Sequence, residues 1–212
     1  MNKKSKSSRR WLDRHHSDPY VKRSQREGYR SRAAYKLLEI QEKDRILTPG
    51  TRVLDLGAAP GSWSQIASRL VGPKGQVIAL DLLPMEALDG VVFLQGDFRE
   101  DSVLSQLREA IGAEPLDLVL SDMAPNITGT VVTDQSRVVY LLELALDLAR
   151  ECLKPGGSLV VKAFQGEGFD AYLLELRRSF HRVASRKPQS SRAQSREIYL
   201  VAKGFMAKNF HP

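Results

Sequence analysis

Apolar residues follow two alternating patterns along the chain. Short runs that are almost continuously apolar, such as RVLDLG, VVFLQGD and LDLVLSDMA, are each followed by a longer stretch in which apolar residues return every three or four positions. Continuous apolar runs are typical of strands buried on both faces of a parallel sheet, and the longer stretches are typical of amphipathic helices. With the further runs QVIALDLL, GSLVVKAF, HRVASRKP and REIYLVAKGF, the pattern predicts an α/β fold with a doubly wound, mostly parallel, seven-stranded sheet.

The two ends of this pattern carry separate predictions. HRVASRKP and REIYLVAKGF follow each other without a helical stretch between them, so we expect one of these strands to return antiparallel at an edge of the sheet. Before the first strand, SRAAYKLLEIQEKD has apolar residues at helical spacing and begins with serine, a favoured residue at a helix start. We therefore predict a helix from Ser31 to Asp44, with Ser31 as its N-cap.

Charge is divided unevenly between three parts of the chain. Residues 1–36 carry 12 Lys and Arg against 3 Asp and Glu, a net +9, and residues 177–212 carry 9 against 1, a net +8. Residues 37–176 carry 11 against 21, a net −10. Because clustered cations gain affinity by displacing the counterions of a polyanion, the two basic ends predict a nucleic-acid partner. Tyr20, Tyr29 and Tyr35 lie among the basic residues of the N-terminal part, residues 1–36, where they could stack on bases or pack a helix.

The composition of the chain bears on its cellular location and on whether it binds a membrane or a metal. One cysteine, Cys152, and the absence of an apolar N-terminal stretch indicate a reducing, cytoplasmic location. The longest apolar stretch, VVYLLELALDLA, contains Glu143 and Asp147, so we expect a soluble protein without a membrane partner. Four scattered histidines and one cysteine offer no recognisable set of metal ligands, so we expect no metal site. We also expect a monomer.

A glycine turn links the first predicted strand to its helix. In open α/β sheets, ligands bind outside the carboxyl ends of the strands, and this turn from Gly57 to Gly61 does not have the glycine spacing of a dinucleotide site. Asp81 and Asp97 end the next two predicted strands, where their carboxylates can accept hydrogen bonds from ribose hydroxyls and an adenine amino group. These features indicate an adenosine without phosphates, and S-adenosylmethionine fits them.

Five segments resemble a known family over nearly the whole chain: DPYVKRSQREGYRSRAAYKL, VLDLGAAPGSWSQ, LSDMAPNITG, VVKAFQG and SREIYLVAKGF. The family is the FtsJ/RrmJ type of ribosomal RNA 2′-O-ribose methyltransferases. The resemblance implies a Rossmann-like class I fold, S-adenosylmethionine as cofactor and RNA as substrate. Its basic N-terminal segment is most similar to that of the bacterial large-subunit enzymes, which implies a uridine of 23S rRNA in the large ribosomal subunit as the target.

The resemblance also implies which residues form the site. The catalytic tetrad of the family falls on Lys36, Asp122, Lys162 and Glu197. The residues that match its cofactor site are Gly57, Gly61, Trp63, Asp81, Asp97 and Asp122. Attack by a ribose hydroxyl requires that the hydroxyl lose its proton, and a lysine can accept it only when neutral. Because Lys36 beside Lys162 disfavours protonation of both, we assign the general base to Lys162 and orientation and charge balance to the other three.

The remaining alternatives differ in substrate or in catalysis. Enzymes that methylate riboses of transfer RNA or messenger RNA caps resemble this chain through the same four residues. An enzyme acting on base amino groups is disfavoured because MAPN, which follows Asp122, has no aromatic residue to stack on a flipped base. A non-catalytic RNA-binding module explains the charge but not the tetrad. We predict a basic RNA-binding arm, partly disordered, over residues 1–30 and a methyltransferase domain over residues 31–212.

Overall fold

A seven-stranded sheet forms the centre of the computed structural model, which describes residues 18–125, 131–192 and 195–207. Residues 1–17, which begin the predicted basic arm, and residues 126–130, which include the last four residues of the LSDMAPNITG segment, lie outside the described residues. The strands are β1 (Arg52–Leu56), β2 (Gln76–Asp81), β3 (Val91–Gln95), β4 (Leu116–Ser121), β5 (Leu153–Phe164), β6 (Phe180–Arg186) and β7 (Glu197–Phe205). The helices are α1 (Pro19–Arg26), α2 (Ala34–Asp44), α3 (Ser62–Val71), α4 (Asp101–Ile111), α5 (Val131–Cys152) and α6 (Phe169–Ser179).

The order of the strands confirms the predicted doubly wound sheet. It reads β3-β2-β1-β4-β5-β7-β6, so the chain winds outward from β1 in one direction and then from β4 in the other. The pairs β1–β2, β2–β3, β1–β4 and β4–β5 are all parallel. Parallel winding places the carboxyl ends of β1 to β5 along the same edge of the sheet, where ligands of such folds bind.

The antiparallel strand is not at the edge, and that part of the prediction is wrong. β7 pairs antiparallel with both β5 and β6, so it lies inside the sheet and β6 forms the edge. The burial of the two strands gives the reason. Five consecutive residues of β7, from Ile198 to Ala202, are buried, whereas most residues of β6 keep solvent exposure. Placing the more apolar strand between two neighbours buries more apolar surface.

The start of α2 also differs from the prediction. The helix ends at Asp44 as expected but begins at Ala34, three residues later than predicted. Ser31 closes a separate turn before the helix, because its carbonyl accepts from the amide of Ala34 and its hydroxyl accepts from the amide of Ala33. The preceding helix, α1, has Asp18 as its N-cap, with Oδ1 accepting from the amide of Tyr20 at 3.0 Å.

Two apolar layers cover the faces of the sheet. One contains residues of α2 and α3, and the other contains residues of α4, α5 and α6. In the first layer, Leu37 and Ile40 of α2 lie in one buried cluster with Val160 of β5 and Tyr199 of β7. This packing fixes α2, and therefore Lys36, against the central strands. Among the described residues, no helix is long and apolar enough to cross a membrane.

We predict that Leu37→Ala lowers the free energy of unfolding by about 2 to 5 kcal/mol, the usual cost of truncating a fully buried leucine. Leu37 has no exposed surface. Urea unfolding measures the change. Glu42→Ala, on the exposed side of the same helix, is the control and should change stability by less than about 0.5 kcal/mol. Equal effects of the two substitutions would show that α2 is not held by this cluster.

Candidate functional site

A cavity of about 510 Å³ opens at the carboxyl ends of β1 to β4. Its lining includes Gly57 after β1, Asp81 at the end of β2, Asp97 after β3 and Asp122 after β4. Much of the remaining wall is apolar, with contributions from Leu80, Leu82, Phe98, Met123 and Pro125. The structure therefore brings together the glycine turn and the strand-end carboxylates that the sequence singles out.

The glycine turn is fastened to the following segments by its backbone. Gly57 has φ +73°, and a Cβ at this position would lie 2.8 Å from Cγ of Met123, so no larger residue fits without displacement. The carboxylate of Asp81 accepts from the amide of Ala59 at 2.9 Å and from the amide of Leu83 at 2.8 Å. Asp81 thus joins the turn to the chain that leaves β2, and both line the cavity.

Asp97 is held in its ionised form. The Nε atom of Arg99 lies 2.9 Å from both carboxylate oxygens of Asp97, and this hydrogen bonding lowers the pKa of Asp97 although partial burial opposes it. A carboxylate has about four acceptor positions, so Arg99 does not exhaust those of Asp97.

Two residues of the predicted cofactor site lie outside the cavity lining. Trp63 is buried, its indole nitrogen donates to the carbonyl of Ala33 at 2.9 Å, and its ring centroid is 5.6 Å from that of Tyr199. Gly61 has φ +101°, and a Cβ there would lie 2.8 Å from Nη1 of Arg30. Direct contact of Trp63 or Gly61 with a cofactor stays a prediction, whereas their contacts with the chain before α2 are seen in the structure.

The four residues of the predicted tetrad form two ion pairs. Nζ of Lys162 lies 3.1 Å from Oδ1 of Asp122 and also donates to the main-chain carbonyl of Asp122. Nζ of Lys36 lies 2.6 Å from Oε1 of Glu197. All four side chains are at most 18% exposed, so each charge depends on its partner.

Tyr199 links the two pairs and is one of two residues of this region that sequence reasoning missed. Its hydroxyl donates to Oδ1 of Asp122 at 2.7 Å, and Nζ of Lys36 lies 5.6 Å from its ring centroid. Burial, followed by the charge of Asp122, raises its pKa well above the usual value, so Tyr199 stays a hydrogen-bond donor. Its place two residues after Glu197 was the available signal, since alternate residues of a strand point to the same face.

The charge of Glu197 is set by opposing effects. Burial raises the pKa of this carboxyl, but the charge of Lys36 and the hydrogen bonds from Lys36 and Ser191 outweigh burial and lower it. The hydroxyl of Ser191 donates to Oε1 of Glu197 at 2.8 Å. Glu197 is therefore a carboxylate at neutral pH.

Asp55 is a second residue that sequence reasoning missed. It lies in β1 with no exposed surface, and it accepts from the hydroxyl of Ser64 at 2.6 Å, while its Oδ1 has no partner among the described residues. Burial, with the nearby charges of Asp122 and Asp81, raises the pKa of Asp55 to about 7, although the Ser64 hydrogen bond opposes the shift. The signal in the sequence was a single carboxylate inside the buried run VLDL.

The described parts of the two basic ends contact each other beside these ion pairs. Arg32 pairs with Asp18 and donates to the main-chain carbonyl of Ser190. The carboxylate of Glu39 accepts from the amides of Gln189 and Ser190, at 2.6 and 2.9 Å. Residues 18–36 and the described residues 187–192 and 195–197, far apart in the sequence, therefore form one surface.

The three tyrosines of the N-terminal segment pack against one another. The ring centroids of Tyr20 and Tyr29 lie 5.4 and 5.7 Å from that of Tyr35, which is buried. This arrangement favours the packing interpretation for Tyr35 over stacking on bases. Within residues 18–125, 131–192 and 195–207, no three His, Cys, Asp or Glu side chains are grouped so that they could hold a metal ion.

Comparison with known proteins shows the family. The family model described as FtsJ-like methyltransferase matches residues 29–205. The chain belongs to this family. Among other FtsJ-like proteins, Ribosomal RNA large subunit methyltransferase E of Pseudomonas paraeruginosa is 60% identical over 202 residues, with 95% of this chain and 98% of that protein covered. The protein of the same name from Alkalilimnicola ehrlichii is 59% identical, with 96% and 97% covered.

A solved structure supports the same assignment. A protein of Plasmodium falciparum that is named as a ribosomal RNA methyltransferase has a TM-score of 0.76 to this chain at 32% identity. The match covers 85% of this chain and all of the other. This FtsJ-like chain is thus a methyltransferase, and enzymes of this kind use a methyl-donor cofactor.

We predict that Asp55→Asn changes how stability depends on pH. The folded-state pKa of about 7 lies above that of an unfolded aspartate, about 3.9, so the folded chain binds the proton more tightly. The resulting stabilisation is fully present below about pH 4 and is lost as pH rises through about 7, by at most on the order of 4 kcal/mol. Urea unfolding between pH 5 and 9 should show this loss in the unmodified protein and not in Asp55→Asn. Parallel pH profiles would exclude titration of Asp55 in this range.

Proposed function

We propose that this FtsJ-like methyltransferase transfers a methyl group from S-adenosylmethionine to the 2′-hydroxyl of a ribose in large-subunit ribosomal RNA, at a uridine of the 23S rRNA. The observation that carries the proposal is the pair of buried lysines. Lys162 and Lys36 are each paired with a carboxylate beside the acid-lined cavity, and Asp122 belongs to both the cavity and the lysine pair. The names of the two bacterial relatives support ribosomal RNA as the substrate.

The lining of the cavity suits S-adenosylmethionine. Asp81, Asp97 and Asp122 provide three carboxylates at successive strand ends, next to apolar walls. A nucleoside with hydroxyl and amino donors and a positive charge complements that set, whereas a phosphate would be repelled by it. When bound, S-adenosylmethionine supplies an electrophilic methyl group on a cationic sulfonium. Asp81 and Asp97 are the residues that would hold the adenosine part.

The hydrogen bonds of Lys162 suit it to accept a proton. A neutral lysine amine has two N–H donors and one lone pair. Nζ donates to the main-chain carbonyl of Asp122 and lies 3.1 Å from its Oδ1, so these two acceptors can occupy both N–H groups and leave the lone pair for a substrate. In the proposed mechanism Lys162 would take the proton of the ribose 2′-hydroxyl and keep it. The oxygen would bond to the methyl carbon as the methyl–sulfur bond breaks, and the sulfur would keep that electron pair as a neutral thioether.

The other members of the site hold Lys162 in place. Tyr199 donates to the same Asp122 oxygen that lies beside Lys162, which fixes the carboxylate. Lys36 and Glu197 neutralise each other at the far side of the Tyr199 ring.

The surface formed by residues 18–36, 187–192 and 195–197 is the proposed place of the RNA. Its segments come from the two basic ends of the chain, and Lys36 and Glu197 lie within it. Phosphates that follow this surface would bring a ribose to the site. Since the proposed substrate is ribosomal RNA, the proposed location of the protein is the cytoplasm.

Lys162→Arg tests the proposed base. Arginine keeps the positive charge but does not give up a proton near neutral pH, so single-turnover methylation with saturating RNA and cofactor should fall by at least about 100-fold. Large ribosomal subunits from cells that lack the protein are the substrate, and mass spectrometry of the nucleosides identifies 2′-O-methyluridine. Lys154→Arg is the matched control, because Lys154 lies on the same strand, is half exposed and pairs with Asp117 away from the cavity.

Two results would contradict this assignment. A rate for Lys162→Arg within a few-fold of the unmodified enzyme would leave Lys162 an orienting role only. Methylation of transfer RNA but not of large subunits by the unmodified protein would replace the proposed substrate while keeping the chemistry.

Asp97→Ala tests the cofactor site. Loss of one acceptor for the adenine amino group should cost about 1 kcal/mol, which corresponds to a roughly fivefold weaker binding of S-adenosylmethionine. Isothermal calorimetry without RNA measures the affinity. Arg99→Ala is the control, because it removes the partner of Asp97 and leaves the carboxylate in place. If the two variants bind equally weakly, the Asp97–Arg99 pair shapes the cavity and Asp97 does not contact the cofactor.

A further inference from the structure

Arg30 belongs to the basic N-terminal segment, but its side chain contacts the segments that build the cavity. Its Nη1 atom donates to the carbonyl of Pro60 at 3.0 Å and to that of Glu86 at 2.7 Å, and Nη2 donates to the carbonyl of Ala87 at 2.7 Å. Pro60 is part of the glycine turn after β1. Glu86 and Ala87 lie in the 82–90 segment, which comprises residues 82 to 90 and directly follows Asp81, the last residue of β2.

The 82–90 segment depends on contacts from outside itself. It forms no helix or strand, and most of its residues are exposed. Leu82 and Leu83, both more than 60% exposed, line the cavity. Segments with exposed backbone and few buried contacts open at low free-energy cost, so two hydrogen bonds from a guanidinium make up a large share of what holds this one.

The surroundings are built to admit the Arg30 side chain. A Cβ on Gly61 would lie 2.8 Å from Nη1 of Arg30 and 2.7 Å from Sδ of Met85, so the glycine leaves the space that both occupy. The main chain is held as well, because Gln65 of α3 accepts from the amide of Arg30 at 3.3 Å and donates to the carbonyl of Gly28 at 2.8 Å. Arg30 is therefore fixed at its backbone and at its guanidinium.

We infer that Arg30 is a positioning residue of the methyl-donor cavity, which fastens the glycine turn and the 82–90 segment to the RNA-facing segment, and is not a contact for RNA phosphates. The reason is the use of its donors: three of its N–H bonds are directed at main-chain carbonyls. The inference rests on the proposed function, because the cavity is taken to hold S-adenosylmethionine.

Arg30→Met removes the donors and keeps the aliphatic length. Without any ligand, the amides of the 82–90 segment should exchange with deuterium at least about tenfold faster than in the unmodified protein, in line with the loss of a charge-assisted hydrogen bond. S-adenosylmethionine should bind about tenfold more weakly by calorimetry. Arg30→Lys, which keeps the charge and part of the hydrogen bonding, should give an exchange rate and a cofactor affinity between those of Arg30→Met and the unmodified protein.

Arg26→Met is the matched control. Arg26 lies four residues earlier, its side chain is 78% exposed, and its salt bridge is to Glu27 at 3.8 Å. It should leave exchange in the 82–90 segment and cofactor affinity unchanged. The salt dependence of RNA binding distinguishes a positioning role of Arg30 from a phosphate contact. Each lost phosphate contact lowers the slope of log affinity against log salt concentration by about 0.7 on single strands. Arg30→Met should leave that slope unchanged.

Unchanged exchange and cofactor affinity in Arg30→Met, together with a reduced salt slope, would overturn the inference and make Arg30 a phosphate contact. Faster exchange throughout the chain would overturn it too, because Arg30 would then support the whole fold and not the cavity. If the unmodified protein fails to bind S-adenosylmethionine, the proposed function fails, whereas the exchange of the 82–90 segment still decides what Arg30 holds.

Discussion

The carboxylate of Asp122 is the point on which the arrangement of the site depends. It lies 3.1 Å from Nζ of Lys162 and accepts from the hydroxyl of Tyr199 at 2.7 Å, and both of these partners are almost completely buried. A buried ammonium or phenol without a partner carries a large desolvation cost. The position of Asp122, directly after β4 and next to β5, therefore fixes the side chains on β5 and β7 and ties them to the cavity wall.

The interior position of β7 makes this contact possible. Because β7 pairs with β5 with Tyr199 opposite Lys162 and Glu197 opposite Phe164, the beginning of β7 meets the carboxyl end of β5. An edge position for β7 would have removed Glu197 and Tyr199 from Lys162. The same pairing buries the apolar residues of β7, so the energy that orders the sheet also assembles the polar site.

The acidic middle and the basic ends have separate functions in this arrangement. The middle of the chain provides Asp81, Asp97 and Asp122 at the carboxyl ends of the parallel strands, where a cationic cofactor is proposed to bind. The ends meet on the neighbouring face through Arg32, Asp18 and Ser190. Negative and positive side chains thus occupy separate regions, and in the proposed function the methyl donor and the RNA ribose meet between them.

The sequence by itself determined the fold class, the glycine turn and the carboxylates at the strand ends. Continuous apolar runs alternating with helical periodicity encode strands and helices locally, and parallel winding then brings the strand ends to one edge. The tetrad as a set was predicted only through family resemblance. Lys162 stands out as a charge inside the apolar run GSLVVKAF and Asp122 as a carboxylate at a strand end, but Lys36 and Glu197 carry no local pattern that distinguishes them from surface charges.

Only the tertiary structure decided how these residues pair and what supports them. It placed β7 inside the sheet, joined Lys36 to Glu197 and Lys162 to Asp122, and revealed Tyr199 and the buried Asp55. It also directed Arg30 away from the basic surface and onto the carbonyls of the cavity segments. Such contacts join residues that are from 30 to more than 150 positions apart, and they depend on strand register and side-chain direction, which local sequence patterns do not encode.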